Sequence, residues 1–151
     1  MPLDQQGFIL PEAKPTTREL PDRLSALILV ALEDLEKVEA SPRYKVRMEI
    51  WHLPQKDYCG VCLAGSVIAF SLGADPDVPI QPDDFHHSID DKLCALNLVR
   101  GGDISLALEV IDQEGPAYNF PHEDMINYED NPHGFKAQLR SVARRLAAEG
   151  L

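Results

Sequence analysis

The reading turns on Tyr58-Cys59-Gly60-Val61-Cys62-Leu63-Ala64-Gly65-Ser66-Val67-Ile68-Ala69-Phe70-Ser71-Leu72-Gly73, the longest run in the chain without a charged side chain. It carries two of the three cysteines. Its length and its alanines favour a helix over a buried strand, and a helix apolar on nearly every side belongs in a core. Asp57 is placed to cap its start, and Gly73 to take the left-handed position after its end. Ala64, Gly65, Ser66 and Ala69 are small, so another backbone can approach closely. A glycine inside a helix costs about 1 kcal/mol relative to alanine, which makes sense at Gly65 if an element crosses there.

On the N-terminal side, Tyr44, Val46, Met48 and Ile50 alternate with Lys45, Arg47 and Glu49. That period predicts a strand over 44–51 with one buried face. Pro54 ends it, and Gln55-Lys56-Asp57 is a polar turn. Further upstream, Leu24, Leu27, Ile28, Ala31, Leu35 and Val38 recur at helical spacing. They predict an amphipathic helix from near Pro21 to the stop at Ser41-Pro42. Residues 1–17 hold Pro2, Pro11 and Pro15 and read as an extended arm, with a short strand at 8–10.

On the C-terminal side, 74–84 is a proline- and aspartate-rich loop. Ser88-Ile89-Asp90-Asp91 resembles a capping box and opens a helix through Leu93, Leu96 and Val99. Gly101-Gly102 turns that helix into a second one, from Ile104 to about Gln113, with Asp103 as its cap. Residues 115–132 are irregular and mix aromatics with acids. Asn131 and Pro132 then read as cap and first residue of a final helix. It turns Phe135, Leu139, Val142 and Leu146 inward and Lys136, Arg140, Arg144 and Arg145 outward. The fold class expected is therefore mainly α. One compact domain over 18–151 has four or five helices around a buried central helix, with one or two short strands.

A chain of 151 residues makes one ordinary domain, long enough to fold without a metal or disulfide. The net charge of −11 repels a phosphate backbone, so direct nucleic-acid binding is not expected. It suits a protein partner instead, a basic one above all, and leaves homo-oligomerisation open. No basic n-region precedes an apolar run at the start, and no run approaches a membrane span. With an odd number of cysteines, the expectation is reduced thiols in a cytoplasm.

The chemistry on offer centres on the cysteines. Cys59-Gly60-Val61-Cys62 is a C-x-x-C at an expected helix start, where a thiol pKa falls. A thioredoxin-like redox motif needs strands after it, and only helices are expected there. The run Cys59 to Ala64 also resembles the C-G-S-C-W-A of papain-like proteases. That match implies Cys62 as nucleophile, His122 or His133 as base, and Asn119, Asn127 or Asn131 as orienter. Leu63 stands where that family has tryptophan, Gln55 lies only near the expected glutamine, and the β-rich half is missing. A third option is zinc through His52, Cys59 and Cys62, completed by His86, His87 or Cys94, but there is no second matched pair. The acids Asp83, Asp84, Asp90 and Asp91 with His86 and His87 are a further candidate for a divalent ion, or a solvated loop and helix cap. Against all of these, free cysteine is among the most buried residue types, and burial is the preferred reading of Cys59 and Cys62. Cys94 belongs at the core margin.

Two candidate binding regions remain. Trp51 and His52 follow the strand and are placed to line a pocket shared with Cys59; otherwise Trp51 caps the core and His52 lies on the surface. Tyr118, Phe120 and Tyr128 sit in the irregular acidic stretch, as a binding loop or as a loop pinned by its aromatics.

The helix ending in Leu35-Glu36-Lys37-Val38, then Pro42-Arg43-Tyr44-Lys45-Val46, Trp51-His52, Cys59 and Val61-Cys62-Leu63-Ala64-Gly65 resembles a family of uncharacterised small proteins of bacteriophages and prophages. Lys92-Leu93, Ala95-Leu96-Asn97 and Arg100-Gly101 fit the same pattern. The resemblance covers about 24–100 and implies an accessory role in a host bacterial cytoplasm, with no activity and no cofactor. The function expected is thus a non-enzymatic accessory protein that binds a macromolecular partner. The alternatives are a Cys62 hydrolase and a zinc protein.

Overall fold

The computed structural model describes residues 19–111 and 120–151. The arm expected over 1–17, its strand at 8–10, Tyr118 and Asn119 lie outside them. The described residues are mainly α, with five helices and a small sheet. None of these helices is long and apolar enough to cross a membrane.

Helix α1 (Leu24–Ala40) starts later than Pro21, behind Arg23, which offers no side-chain cap. Every residue of its expected apolar face is buried. So is Asp34, which accepts a hydrogen bond from the Ser71 hydroxyl. The Ser41 amide closes the last turn onto the Val38 carbonyl, as the Ser-Pro stop predicts.

Of the strand expected over 44–51 only the first three residues are strand, and the sheet has three short strands rather than one or two. The alternation holds only through β1 (Tyr44–Val46). The chain then turns, with the Ile50 amide on the Arg47 carbonyl, and re-enters the sheet as β2 (His52–Pro54). The third strand, β3 (Cys59–Val61), takes residues expected to begin the helix. It lies between the others, parallel to β1 with Tyr44 opposite Cys59, and antiparallel to β2 with His52 opposite Val61.

Helix α2 (Leu63–Phe70) is accordingly shorter than expected, and its cap is Cys62 rather than Asp57. Cys62 has extended backbone, and its Sγ accepts the Gly65 amide at 3.3 Å. Sulfur does here what a serine or aspartate oxygen usually does at this position. Residues 63–69 are all buried. Gly73, at φ 66, takes the left-handed position after the helix, and the Ala74 amide closes back onto the Ile68 carbonyl.

An element does cross at Gly65. A Cβ there would lie 1.6 Å from the Trp51 carbonyl oxygen and 2.8 Å from its carbon. The turn between β1 and β2 therefore rests directly on the first turn of α2.

Helix α3 (His87–Arg100) opens before the expected capping box, with His86 as N-cap. The His86 Nδ1 accepts the Ser88 amide at 3.4 Å. Gly101 and Gly102 then reverse the chain into α4 (Ile104–Ile111), giving the expected helical hairpin. Helix α5 (Pro132–Ala148) begins with Asn131 accepting the Gly134 amide, and buries Phe135, Leu139, Val142 and Leu146.

Lys136 does not lie on the outer face. It is 7% exposed and reaches Glu39 on α1 at 2.7 Å. Arg140 meets Glu36 at 3.3 Å, and the Ser25 amide bonds to the Leu151 carbonyl. Partner numbers fall on α1 as they rise on α5, so these helices are antiparallel. Helix α1 touches all four other helices, whereas α2 packs mainly on α1, α3 and the sheet.

Candidate functional site

Strand pairing brings two sequence candidates together. His52 on β2 and Cys59 on β3 are each 1% exposed, with Nε2 3.6 Å from Sγ. The His52 Nδ1 lies 2.9 Å from the Val78 carbonyl oxygen. A carbonyl only accepts, so Nδ1 carries the proton, and Nε2 faces the thiol as an acceptor. His52 is thus a buried imidazole and not a surface residue.

This order of parts, thiol then imidazole then orienting acceptor, is that of an activated nucleophile. Its electrostatics point the other way. Burial pushes the Cys59 thiol up to about 11, and Arg43 offsets only part of that. Burial also pulls the imidazole below its ordinary value, against the hydrogen bond to Val78. Both shifts favour the uncharged pair, S–H on Nε2, over a thiolate–imidazolium pair. The surroundings explain why. Cys59 packs in a small apolar cluster with Val38 and Val61, and the Tyr44 ring lies 5.9 Å from the His52 ring.

The expected shared opening does not form. Trp51 and His52 border a hollow of about 220 Å³ with Pro79, Ile80 and Gln81. Cys59 borders a different one of about 120 Å³, with Arg43, Tyr58 and Asp77. Arg43 and Asp77 form an ion pair at 2.9 Å there.

Cys62 goes elsewhere, into the main core. It caps α2, and burial raises its pKa. The bases expected for it are engaged or distant in role. His122 Nε2 donates to the Gly101 carbonyl at 3.1 Å, and His133 is exposed at the start of α5. Asn131 and Asn127 act as a helix cap and a turn former: Asn127 Oδ1 accepts the Glu129 amide. Among the described residues, the histidine that meets a thiol is His52.

Zinc ligation by His52, Cys59 and Cys62 is not assembled, and no group of three His, Cys, Asp or Glu side chains converges among the described residues. The acids near His86 and His87 do local work. Asp84 accepts the Gln81 amide, Asp91 meets His87 at 3.4 Å, and Asp90 accepts the Cys94 thiol. Cys94 is half-buried at the core margin, its pKa pushed up to about 11 by burial and then by Asp90.

Of the aromatics of the irregular stretch, Phe120 and Tyr128 are pinned. Phe120 bonds through both its amide and its carbonyl to the Ser105 hydroxyl, at 2.7 and 3.0 Å. Tyr128 donates to Glu39 and stands edge-on to Phe135 at 5.5 Å.

What the sequence reading missed is the task of His52. Besides its ring bond to Val78, its carbonyl accepts the Ile80 amide at 3.0 Å. It ties the loop after α2 to the edge of the sheet. That loop and the start of α3, residues 74–91, carry Asp75, Asp77, Asp83, Asp84, Asp90 and Asp91. Comparison of the chain with protein-family models, with curated proteins and with solved structures returns no match.

Proposed function

We propose that the protein is a small acidic accessory protein of the phage-like kind, working in a bacterial host cytoplasm by binding a basic protein partner. The observation that carries this reading is the contrast between the chain's two charge sets. Three of the four lysines and arginines of α5 are turned onto acids of the same chain: Lys136 on Glu39, Arg140 on Glu36 and Arg145 on Glu123. Residues 74–91 instead carry six carboxylates on a segment held to the sheet through His52, and among their Lys and Arg ion pairs is one, Asp77 with Arg43. Such a surface steers a cationic partner and repels nucleic acid. The neutral Cys59–His52 pair fits a fastener for that segment better than a catalytic dyad.

The test is affinity capture with the native chain and with an Asp83→Asn, Asp90→Asn, Asp91→Asn variant. Matched circular-dichroism melts establish that both are folded. The reading expects a partner rich in lysine and arginine that is retained by the native chain, lost by the variant, and released as salt rises. A partner retained equally by both proteins, or turnover of any substrate that depends on Cys59, refutes it.

A further inference from the structure

Trp51, the chain's single tryptophan, borders the hollow of about 220 Å³ together with Leu53, Pro79 and Ile80. The open lining of this hollow is mainly apolar. Strand geometry explains why. His52 is buried, and in an extended strand the next residue points to the opposite face, which turns Leu53 outward. His52 also bridges to Ile80, which brings the neighbouring segment alongside. Leu53 is 42% exposed, and Val78, next to Pro79, is 45% exposed. Two of the five large apolar side chains that stand in solvent among the described residues therefore belong to this one ribbon.

The walls are held by backbone. The Trp51 carbonyl lies against Gly65 of α2, and the His52 carbonyl accepts the Ile80 amide at 3.0 Å. A hollow fixed in this way needs little reordering to be filled. Carboxylates stand at its rim. Asp84 Oδ2 accepts the amide of Gln81, which borders the hollow, at 2.9 Å. Asp83, beside it in the chain, is exposed. Among the described residues neither aspartate meets a lysine or arginine. Glu49 borders the hollow too, but its charge is met by Arg47 at 3.2 Å.

These features select an occupant. An apolar side chain fills the hollow, and cations beside it in its own chain meet Asp83 and Asp84. An acidic flank would be repelled by the same carboxylates. The volume lies below the roughly 300–1,000 Å³ of ordinary small-molecule pockets, which suits one inserted side chain. Protein interfaces are commonly anchored in this way, by a buried apolar group inside a polar rim. We infer that the hollow takes a single large apolar residue from a lysine- and arginine-rich segment of a protein partner. That residue sits between Trp51, Leu53, Pro79 and Ile80, and its neighbouring cations face Asp83 and Asp84. The inference rests on the reading of residues 74–91 as the partner-binding surface and gives that partner its recognition element.

Fluorescence of Trp51 in the full chain, with titration calorimetry in parallel, reads occupancy. The probes are the peptides Lys-Arg-Lys-X-Lys-Arg-Lys with X as phenylalanine, leucine or serine. Expected is saturable binding of an apolar peptide at about 0.5 mM or tighter, with the serine peptide at least about fivefold weaker. Leu53→Ser should weaken the apolar peptides about fivefold or more and leave the serine peptide unchanged. Leu53 is exposed, so the variant keeps its fold, which matched melts verify. The Asp83→Asn, Asp90→Asn, Asp91→Asn variant should weaken all three peptides. The inference is overturned by no saturable signal from either apolar peptide up to about 5 mM, by equal binding of the serine and apolar peptides, or by native affinity in Leu53→Ser. In the last two cases weaker binding by the asparagine variant still upholds the acidic surface. Apolar peptides bound with full affinity by the asparagine variant refute the acidic surface and this inference with it. Self-association of the free chain in sedimentation, abolished by Leu53→Ser, assigns the hollow to a second copy and also overturns the inference.

Discussion

Gly65→Ala is the sharpest perturbation of this fold. In an exposed helix interior the change stabilises by up to about 1 kcal/mol through helix propensity. Here the new Cβ lands 1.6 Å from the Trp51 carbonyl oxygen, 2.8 Å from its carbon and 2.9 Å from the Val61 Cβ. Close carbon–oxygen contacts sit at about 3.3–3.6 Å, so the two backbones must part by about 1.7 Å. No side-chain rotation relieves a clash of Cβ with a main-chain carbonyl. Moving the helix stretches the Gly65 amide from Cys62 Sγ, and moving residue 51 pulls on the neighbouring His52–Ile80 bond. Overpacking costs about 1–3 kcal/mol, and backbone on both sides puts this case at the upper end. After the propensity gain, a net loss of about 2 kcal/mol remains, or about 4–8 °C in Tm for a chain of this size. Thermal and urea unfolding followed by circular dichroism measure it. Gly101→Ala is the control: its φ is −84 and the nearest atoms stand 3.6 Å from the new Cβ, so its stability should change by no more than about 0.5 kcal/mol. A Gly65→Ala protein that melts at or above the native chain refutes the close crossing.

His52 makes stability fall toward acid. Burial lowers its folded pKa, so between the unfolded value near ~6.5 and the folded one the unfolded chain binds the proton and gains. Urea unfolding at pH 7.5 and 5.5 should show this loss in the native chain and less of it in His52→Phe; an equal slope in both sinks the assignment. Lys136→Met should cost about 1–3 kcal/mol at neutral pH. Burial raises the Glu39 pKa, but the bonds from Lys136 and Tyr128 outweigh it and hold it below the ordinary carboxylate value. The stability Glu39 contributes is therefore present above that ordinary value and lost as pH falls through the folded one. The variant should show a smaller acid loss, and a Lys136→Met protein as stable as the native chain at neutral pH removes the Lys136–Glu39 pair from the account. In thiol labelling at pH 7, Cys94 should react first and Cys59 and Cys62 only on unfolding; rapid native labelling of Cys59 contradicts the neutral pair.

The long helices were legible because their signal is long. Across α1 and α5 the apolar residues repeat often enough to fix both period and buried face. The Asn131-Pro132 start, the Gly73 exit and the crossing at Gly65 follow from local chemistry, and so did the reading. Strand β3 was not legible, since three residues of an apolar run show no period. The cap at Cys62 was hidden because sulfur is not a usual cap. Asp34 could have been found: it sits at the i+3 and i−4 spacing from Ala31 and Val38, both on the buried face. Lys136 could not, because its acceptor is 97 positions away in the chain. His52 was legible only in part: Cys59, seven residues on, was placed beside it, but the Val78 carbonyl that orients its ring lies 26 positions away.

Strand β3 is only three residues long, yet every residue in it is buried and it has a neighbour on each side. The Cys59 amide bonds to the Arg43 carbonyl, and the Arg47 amide to the Val61 carbonyl, so its ends are tied as well. A segment held on all sides has no small fluctuation that frees it, and it opens only when the molecule does. Its amides should therefore be among the slowest to exchange with deuterated solvent, and their exchange free energy should equal that of global unfolding. A strand too short to be seen in the sequence thus serves as the natural gauge of the whole domain's stability.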